Sequence, residues 1–308
     1  MEVFHSLESF LECKGNVVTL GAFDGVHLGH RKIIERLISQ AKELDSQSTL
    51  ITFHPHPRMV LYPENKSLKL LTTIQERINL LDRTGIDNLI LLPFTLEFSK
   101  ISAEKFIRDF LIEKIGAEVL VIGHDHRFGK NREGDIDTLK QLSKVYPLRI
   151  EEIPPQEVDE IAISSTKIRN YIQHGEVKAA KGLLGRNYTL TGKVIEGKKL
   201  GNQLGFPTAN LGEIDPCKLI PKDGVYAIKV YTSVGEFGGM MNIGFRPTVD
   251  GIIHAIEVHI FNFDRDIYGQ PLTIGFVDRI RDEHKFANRD ALKSQLHSDK
   301  ATALSLLL

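Results

Sequence analysis

The chain has 308 residues with 39 basic and 40 acidic side chains, a formal charge of −1. This length suits two domains of about 100–200 residues. Through Arg186 there are 25 basic and 26 acidic residues, and beyond it 14 of each. Neither half therefore has the broad basic footprint of a nucleic-acid or anionic-membrane binder, and only a local patch stays open. Cys13 and Cys217 lie too far apart for a C-x-x-C, which excludes a zinc ribbon or disulfide framework and points to a reducing compartment. The acidic, polar-broken N-terminus is unlike a signal peptide, and no apolar run approaches the roughly 18 residues of a membrane span. The expectation is a cytoplasmic protein.

In chain order, the apolar run 17–20 predicts a strand that ends at Gly21. Apolar residues at 33, 34, 37, 38, 41 and 44 then predict a helix over 31–44. A strand at 50–53 follows, closed by His54-Pro55-His56-Pro57. Further strands are predicted at 89–92 and 118–122, and helices at 74–83, 102–114 and 135–144. This alternation predicts a parallel sheet covered on both faces, a Rossmann-like α/β domain with ligands at the carboxyl ends of its strands. A helical stretch over 165–184 leads out of it.

Past Gly185 the period changes to two and glycines multiply. Strands are predicted at 188–195, 225–231, 237–243, 254–261 and 271–277, with a closing helix at about 288–298. This is the pattern of a small antiparallel barrel or sandwich with a C-terminal helix. The expected domains are 1–184 and 185–308.

The segment Gly21-Ala22-Phe23-Asp24-Gly25-Val26-His27-Leu28-Gly29-His30 joins a strand to a helix. Its glycines admit close backbone approach, and the helix N-terminus offers free N–H groups to a phosphate. His27 and His30, three apart, would share one helix face and could stabilise charge on a reacting triphosphate. A glycine-rich turn carrying two solvated histidines is the plainer alternative. No H-E-x-x-H supports zinc, and no Walker-type phosphate loop is present. Three more polar loops would lie at the same strand ends: His54–Pro57, Gly123–Gly129 and Ile163–Arg169. Singly, Ser164-Ser165-Thr166 reads as a helix cap and Asp125 as a turn former. In the second half, Glu257 lies on a strand that alternates with Ile256 and Val258, either as a base for a hydroxyl proton or as a solvent-facing glutamate.

GAFDGVHLGH, FHPHP, G-x-D-x-R-F-G and ISSTKIR, in this order, resemble the FMN adenylyltransferase module of bacterial bifunctional riboflavin kinase/FAD synthetases. LLGRNYTLTGKV, GNQLGFPTANL, PKDGVYAIKV, NIGFRPTVDG, IEVHIFNFDRDIYGQPL and RDEHKFANRDAL are similar to its riboflavin kinase module. The resemblance implies phosphorylation of riboflavin by ATP to FMN, then adenylylation of FMN to FAD with release of pyrophosphate. ATP, riboflavin, FMN and FAD would be substrates or products and Mg²⁺ the cofactor, with no nucleic-acid or membrane partner. It implies catalytic roles for His27, His30, Arg169 and Glu257. Gly21, Phe23, Asp24, Gly29, Asp125, Ser165 and Thr166 would bind ATP or FMN in the first module. Gly205, Pro207, Thr208, Asn210, Arg281 and Phe286 would bind nucleotide or flavin in the second, with Thr208 and Asn210 as Mg²⁺ ligands. Two positions depart from the family pattern: His126 replaces an aromatic residue, and Asn202 replaces a basic one for which Lys198 and Lys199 could substitute.

Three alternatives stand beside this reading. One is a single-activity nucleotidyltransferase whose barrel only binds flavin, opposed by Thr208, Asn210 and Glu257. A flavin sensor without turnover is opposed by the intact histidines. A tRNA-directed synthetase is opposed by the near-neutral charge.

Overall fold

The computed structural model describes residues 1–10, 15–65, 67–123, 127–130, 133–153, 163–197, 201, 204–248 and 251–308, with the side chains of 246–248 and 251–253 left aside. Cys13, Asp125, His126, Lys198, Lys199 and Asn202, singled out above, lie outside the described residues. Contacts divide the chain into two compact units, Met1–Ser165 and Thr166–Leu308.

The first unit is a six-stranded parallel sheet with helices on both faces. Its strands are β1 (Glu2–Phe4), β2 (Asn16–Leu20), β3 (Ser48–His54), β4 (Asn88–Pro93), β5 (Ala117–Gly123) and β6 (Arg149–Ile153). They lie in the order β1-β4-β3-β2-β5-β6. The helices are α1 (Leu28–Glu43), α2 (Pro57–Leu61), α3 (Ile74–Asp82), α4 (Ala103–Lys105) and α5 (Ile136–Leu142). Alternate strand residues feed two separate cores. Val17, Leu50, Leu89 and Val119 pack with Ile34 and Leu37 of α1. Val18, Ile51, Ile90 and Leu120 pack with Phe106 and Leu111 on the other face. Both faces being buried, these strands read as continuous apolar runs rather than as alternation.

The apolar runs over 17–20, 50–53, 89–92 and 118–122 all form strands. β1 and β6, at the two sheet edges, have no predicted counterpart. β1 is three residues long, and β6 is largely half-buried, so neither carries an apolar run. The expected helix over 102–114 forms as α4 followed by a π-helical Phe106–Ile112. The wider turn brings Phe106 and Leu111, five apart, onto one buried face.

The second unit begins with α6 (Ser165–His174) and α7 (Val177–Leu184), apart from the opening residue Ser165, which belongs to the first unit. The stretch expected as one helix breaks at Gly175, which takes φ +81° and packs so closely on Arg279 that a Cβ would lie 2.6 Å from its side chain. The barrel strands are β7 (Tyr188–Ile195), β8 (Ala209–Gly212), β9 (Gly224–Thr232), β10 (Gly235–Thr248), β11 (Gly251–Ile260) and β12 (Pro271–Arg281). They close antiparallel in the order β10-β11-β8-β7-β12-β9. β8, four residues without a β-branched side chain, is fixed by its neighbours β7 and β11 rather than by propensity.

The last helix, α8 (Arg289–Leu307), starts at an Asn288 cap and runs well past the expected end at 298. Its extension covers the barrel. Ala303, Leu306 and Leu307 pack with Phe206, Ala227, Met240 and Phe261.

Candidate active sites

In the first unit, chain order runs one way from β2 through β3 to β4 and the other way from β5 to β6. The carboxyl ends of β2 and β5 therefore lie side by side at the switch point of the sheet, where α/β folds bind ligands. The β2 loop is strained: Phe23, Gly25 and Val26 have φ of +45°, +87° and +39°. For a β-branched valine this costs on the order of 1–3 kcal/mol, so the surroundings must impose it. They do so through Asp24, whose buried carboxylate accepts hydrogen bonds from the Leu71 and Thr72 N–H groups and from the Thr72 hydroxyl, each at 3.0 Å. The Thr72 hydroxyl also accepts from Gly25 N–H at 3.1 Å, and buried Arg77 stands 3.9 Å from Asp24. Thr52 donates to the Ala22 carbonyl at 3.1 Å, and Ser165 to the Asp24 carbonyl at 2.9 Å.

This scaffold aims the two histidines. His27 caps α1, its Nδ1 accepting from His30 N–H at 3.3 Å. The two rings stack with centroids 3.6 Å apart and planes 18° from parallel, and Phe23 lies 5.0 Å from His30. His30 is held well below the usual histidine pKa by burial, by the neighbouring His27 and by Arg77. Its ring is neutral at pH 7, and its buried Nδ1 has no hydrogen-bond partner among the described residues. A neutral imidazole beside the free N–H groups of a helix N-terminus is suited to donate to an anion.

Gly21 and Gly29 belong to the same loop and first turn. A Cβ at Gly21 would lie 3.1 Å from the Phe23 ring, and Gly29 is buried. Of the other polar loops, His56 caps α2 by accepting from Arg58 N–H at 3.2 Å. Phe128 packs in the core, and Gly129, at φ +72°, has Ala103 backbone 2.9 Å from where a Cβ would stand. Thr166 and Arg169 lie in the first turns of α6, three residues apart and so on one side of it.

In the second unit, β8 and β11 pair Asn210 with Glu257 and Ala209 with Val258, while Asn242 of β10 flanks Glu257 on its other side. Glu257 is 6% exposed, which excludes the solvent-facing alternative. Gly205, at φ +82°, turns the chain into Phe206-Pro207-Thr208. A Cβ at Gly197 would overlap the Asn210 carboxamide, and one at Gly201 would lie 3.1 Å from the Thr208 hydroxyl. Thr208 also lines a cavity of about 350 Å³ bounded by Val258, Ile260 and the segment 263–268. That segment lies between the strands expected at 254–261 and 271–277 and has no periodic pattern that would mark it as a cavity wall.

Arg281 grips buried Asp299 of α8 through Nε and Nη2, at 2.8–3.1 Å, and its guanidinium lies 5.5 Å from the Phe286 ring. Its charge thus ties β12 to the closing helix. Asp24 likewise spends its carboxylate inside the fold. Sequence reasoning missed Thr72 and Arg77, the partners of Asp24. The only signal was Thr73-x-x-Glu76, which forms the capping box of α3.

A helix N-terminus bearing two stacked histidines at a sheet switch point, followed by a closed barrel that buries a glutamate beside an asparagine, fits a two-module class of ATP-dependent transferases. The family model for FAD synthetase matches residues 11–167, and that for riboflavin kinase matches residues 184–307. The bifunctional riboflavin kinase/FMN adenylyltransferase of Haemophilus influenzae is 36% identical over 294 residues, covering 94% of each chain. That of Buchnera aphidicola subsp. Schizaphis graminum is 37% identical over 305 residues, covering 97% of this chain and 96% of its own. A crystal structure described as a macrolide-efflux protein from Streptococcus pneumoniae superposes with a TM-score of 0.88 at 32% identity, over 98% of this chain and 97% of that one. The chain belongs to the family of bifunctional riboflavin kinase/FMN adenylyltransferases, enzymes that phosphorylate riboflavin to FMN and adenylylate FMN to FAD.

Proposed function

We propose that adenylyl transfer is the work of residues 1–184 and riboflavin phosphorylation that of residues 185–308. In adenylyl transfer an FMN phosphate oxygen attacks the α-phosphorus of ATP, the bond to the β-phosphate breaks, and pyrophosphate leaves. His27 and His30 donate to the triphosphate at the α1 N-terminus, and Ser165, Thr166 and Arg169 grip it from α6. Gly21, Phe23 and Gly29 shape the loop that meets the ligand, Asp125 binds ATP or FMN as the family resemblance implies, and Asp24 acts from behind as the strut of the loop. Little covalent chemistry is asked of the protein, and positioning with charge neutralisation supplies most of the catalysis.

In the kinase step Glu257 accepts the proton of the ribityl 5′-hydroxyl. The freed oxygen attacks the γ-phosphorus, and ADP leaves. The Thr208 hydroxyl and Asn210 carboxamide oxygen are hard donors suited to Mg²⁺, in a cradle that a Cβ at Gly197 or Gly201 would fill. Mg²⁺, when bound, screens the charge of the β- and γ-phosphates. The cavity beside Thr208 accommodates the nucleotide, Gly205 and Pro207 shape the turn into it, and Phe286, stacked beside Arg281, contacts the flavin. The functional modules are 1–184 and 185–308, working in the cytoplasm on small molecules, with no nucleic-acid or membrane partner. Among the described residues no helix is long and apolar enough to cross a membrane. The efflux description of the pneumococcal relative is not adopted, because both family models and the curated relatives point to flavin chemistry.

The observation that carries this assignment is the gathering of Asn210 and Glu257 on paired strands, apart from the stacked His27 and His30 in the other unit. Single substitutions in the full chain test it. His30→Asn should make FMN from riboflavin and stall there. Glu257→Gln should make no FMN yet convert added FMN to FAD. Loss of both activities in either variant would overturn the division.

A further inference from the structure

His259 is a buried titratable side chain that the reactions above leave without a task. It stands on β11 two residues beyond Glu257, and so on the same side of the strand. Its Nδ1 lies 2.7 Å from the Pro207 carbonyl oxygen. A carbonyl can only accept, which assigns the ring proton to Nδ1 and a lone pair to Nε2. Nε2 is buried with no hydrogen-bond partner among the described residues. Burial lowers the pKa of the ring, which favours this neutral form. The ring is fixed by Phe206 and Phe261, whose centroids lie 5.3 and 5.6 Å away in edge contacts, and Phe206 in turn meets His297 of α8 at 5.0 Å.

What the imidazole holds is a peptide between two backbone anchors. Phe206 N–H is tied to the Gly201 carbonyl at 2.9 Å, and the β8–β11 ladder starts at Ala209. Between these anchors, Pro207 has no N–H, so its carbonyl is its one backbone handle. The carbonyl shares a rigid plane with the Thr208 N–H, so fixing the oxygen fixes the direction in which the chain enters Thr208.

We propose that His259 is a positioning residue of the kinase site, its Nδ1–H holding the Pro207–Thr208 peptide plane and thereby the Thr208 hydroxyl in register with Glu257. This inference rests on the assignment of Thr208 and Glu257 to the kinase reaction. The imidazole touches neither substrate. It acts through Thr208, coupling strand β11, which carries the base, to the turn that carries the nucleotide-facing hydroxyl.

The test compares His259→Phe, which keeps the ring shape without the donor, with His259→Asn, which keeps an amide N–H near the place of Nδ1. In the full chain His259→Phe should lower kcat for riboflavin phosphorylation about 10- to 100-fold, the range expected for a lost buried hydrogen bond at a site of reaction. KM for riboflavin should stay within about twofold, since no flavin contact is removed. FAD formation from added FMN, measured on the same sample, should not change. His259→Asn should recover kcat to within about threefold of the parent, because a donor is restored. A ¹⁵N spectrum of the unsubstituted protein should show His259 as the Nδ1–H tautomer, a readout independent of how the variants fold. Full kcat in His259→Phe, equal loss in both variants, or an Nε2–H tautomer would each overturn the proposal. Full activity in Thr208→Ala would instead remove the assignment of Thr208 on which the inference depends.

Discussion

His30 shows how a residue acquires its chemistry from its surroundings. The first turn of a helix brings it against His27, and a cation at Arg77 and burial do the rest. Its pKa in the folded chain lies below the unfolded value of about 6.5, so between the two values the unfolded chain binds more protons. Stability therefore falls as pH drops from about 6.5 towards the folded value, and His259 adds a loss of the same sign. Thermal denaturation at pH 7.5 and 5.5 should show a smaller difference in His30→Asn than in the parent. An equal difference would deny His30 its part. Asp24 makes a second prediction at this scale. Asp24→Asn removes the buried carboxylate beside Arg77 and its hydrogen bonds to Leu71 and Thr72, and should destabilise the first unit by about 3 kcal/mol in urea denaturation. Riboflavin phosphorylation should persist. The resemblance marks Asp24 as a ligand contact, and its inward carboxylate is not legible because its partners, Thr72 and Arg77, lie about fifty residues away in sequence.

At the scale of elements, what was legible followed burial on a regular period. The four central strands of the sheet and five of the six barrel strands carry enough apolar side chains to announce themselves. β1, β6 and β8 do not, since each is defined by hydrogen bonds to a neighbour rather than by its own pattern. The end of α8 was missed for a related reason: Asp299, buried and paired with Arg281, interrupts the apolar face that would have marked the helix as continuing. The close approaches of glycine were likewise invisible, and they give sharp tests. Gly197→Ala forces the Asn210 carboxamide out of place and should depress FMN formation while leaving FAD formation from FMN intact. Gly129→Ala meets both a φ of +72° and Ala103 backbone at 2.9 Å, and should lower the stability of the first unit by about 1–3 kcal/mol, read as a shift in its unfolding midpoint.

For the whole molecule, the length of the chain and the change of period past Gly185 point to two domains, one α/β and one a small antiparallel β-barrel closed by a helix. The motifs fall within single units, except that ISSTKIR crosses the boundary at Ser165. Because Glu257 and His30 lie in different units, a mixture of His30→Asn and Glu257→Gln chains should make FAD from riboflavin by passing FMN through solution. Absence of FAD from the mixture would mean that FMN must stay on the chain that made it.

Which phosphorus of ATP ends in which product separates the two reactions most directly. Riboflavin, Mg²⁺ and ATP labelled at the α- or the γ-phosphorus should give FMN carrying only the γ-label, followed by FAD carrying both. FMN carrying the α-label, or FAD that forms without prior γ-labelled FMN, would contradict a kinase barrel that supplies an adenylyltransferase.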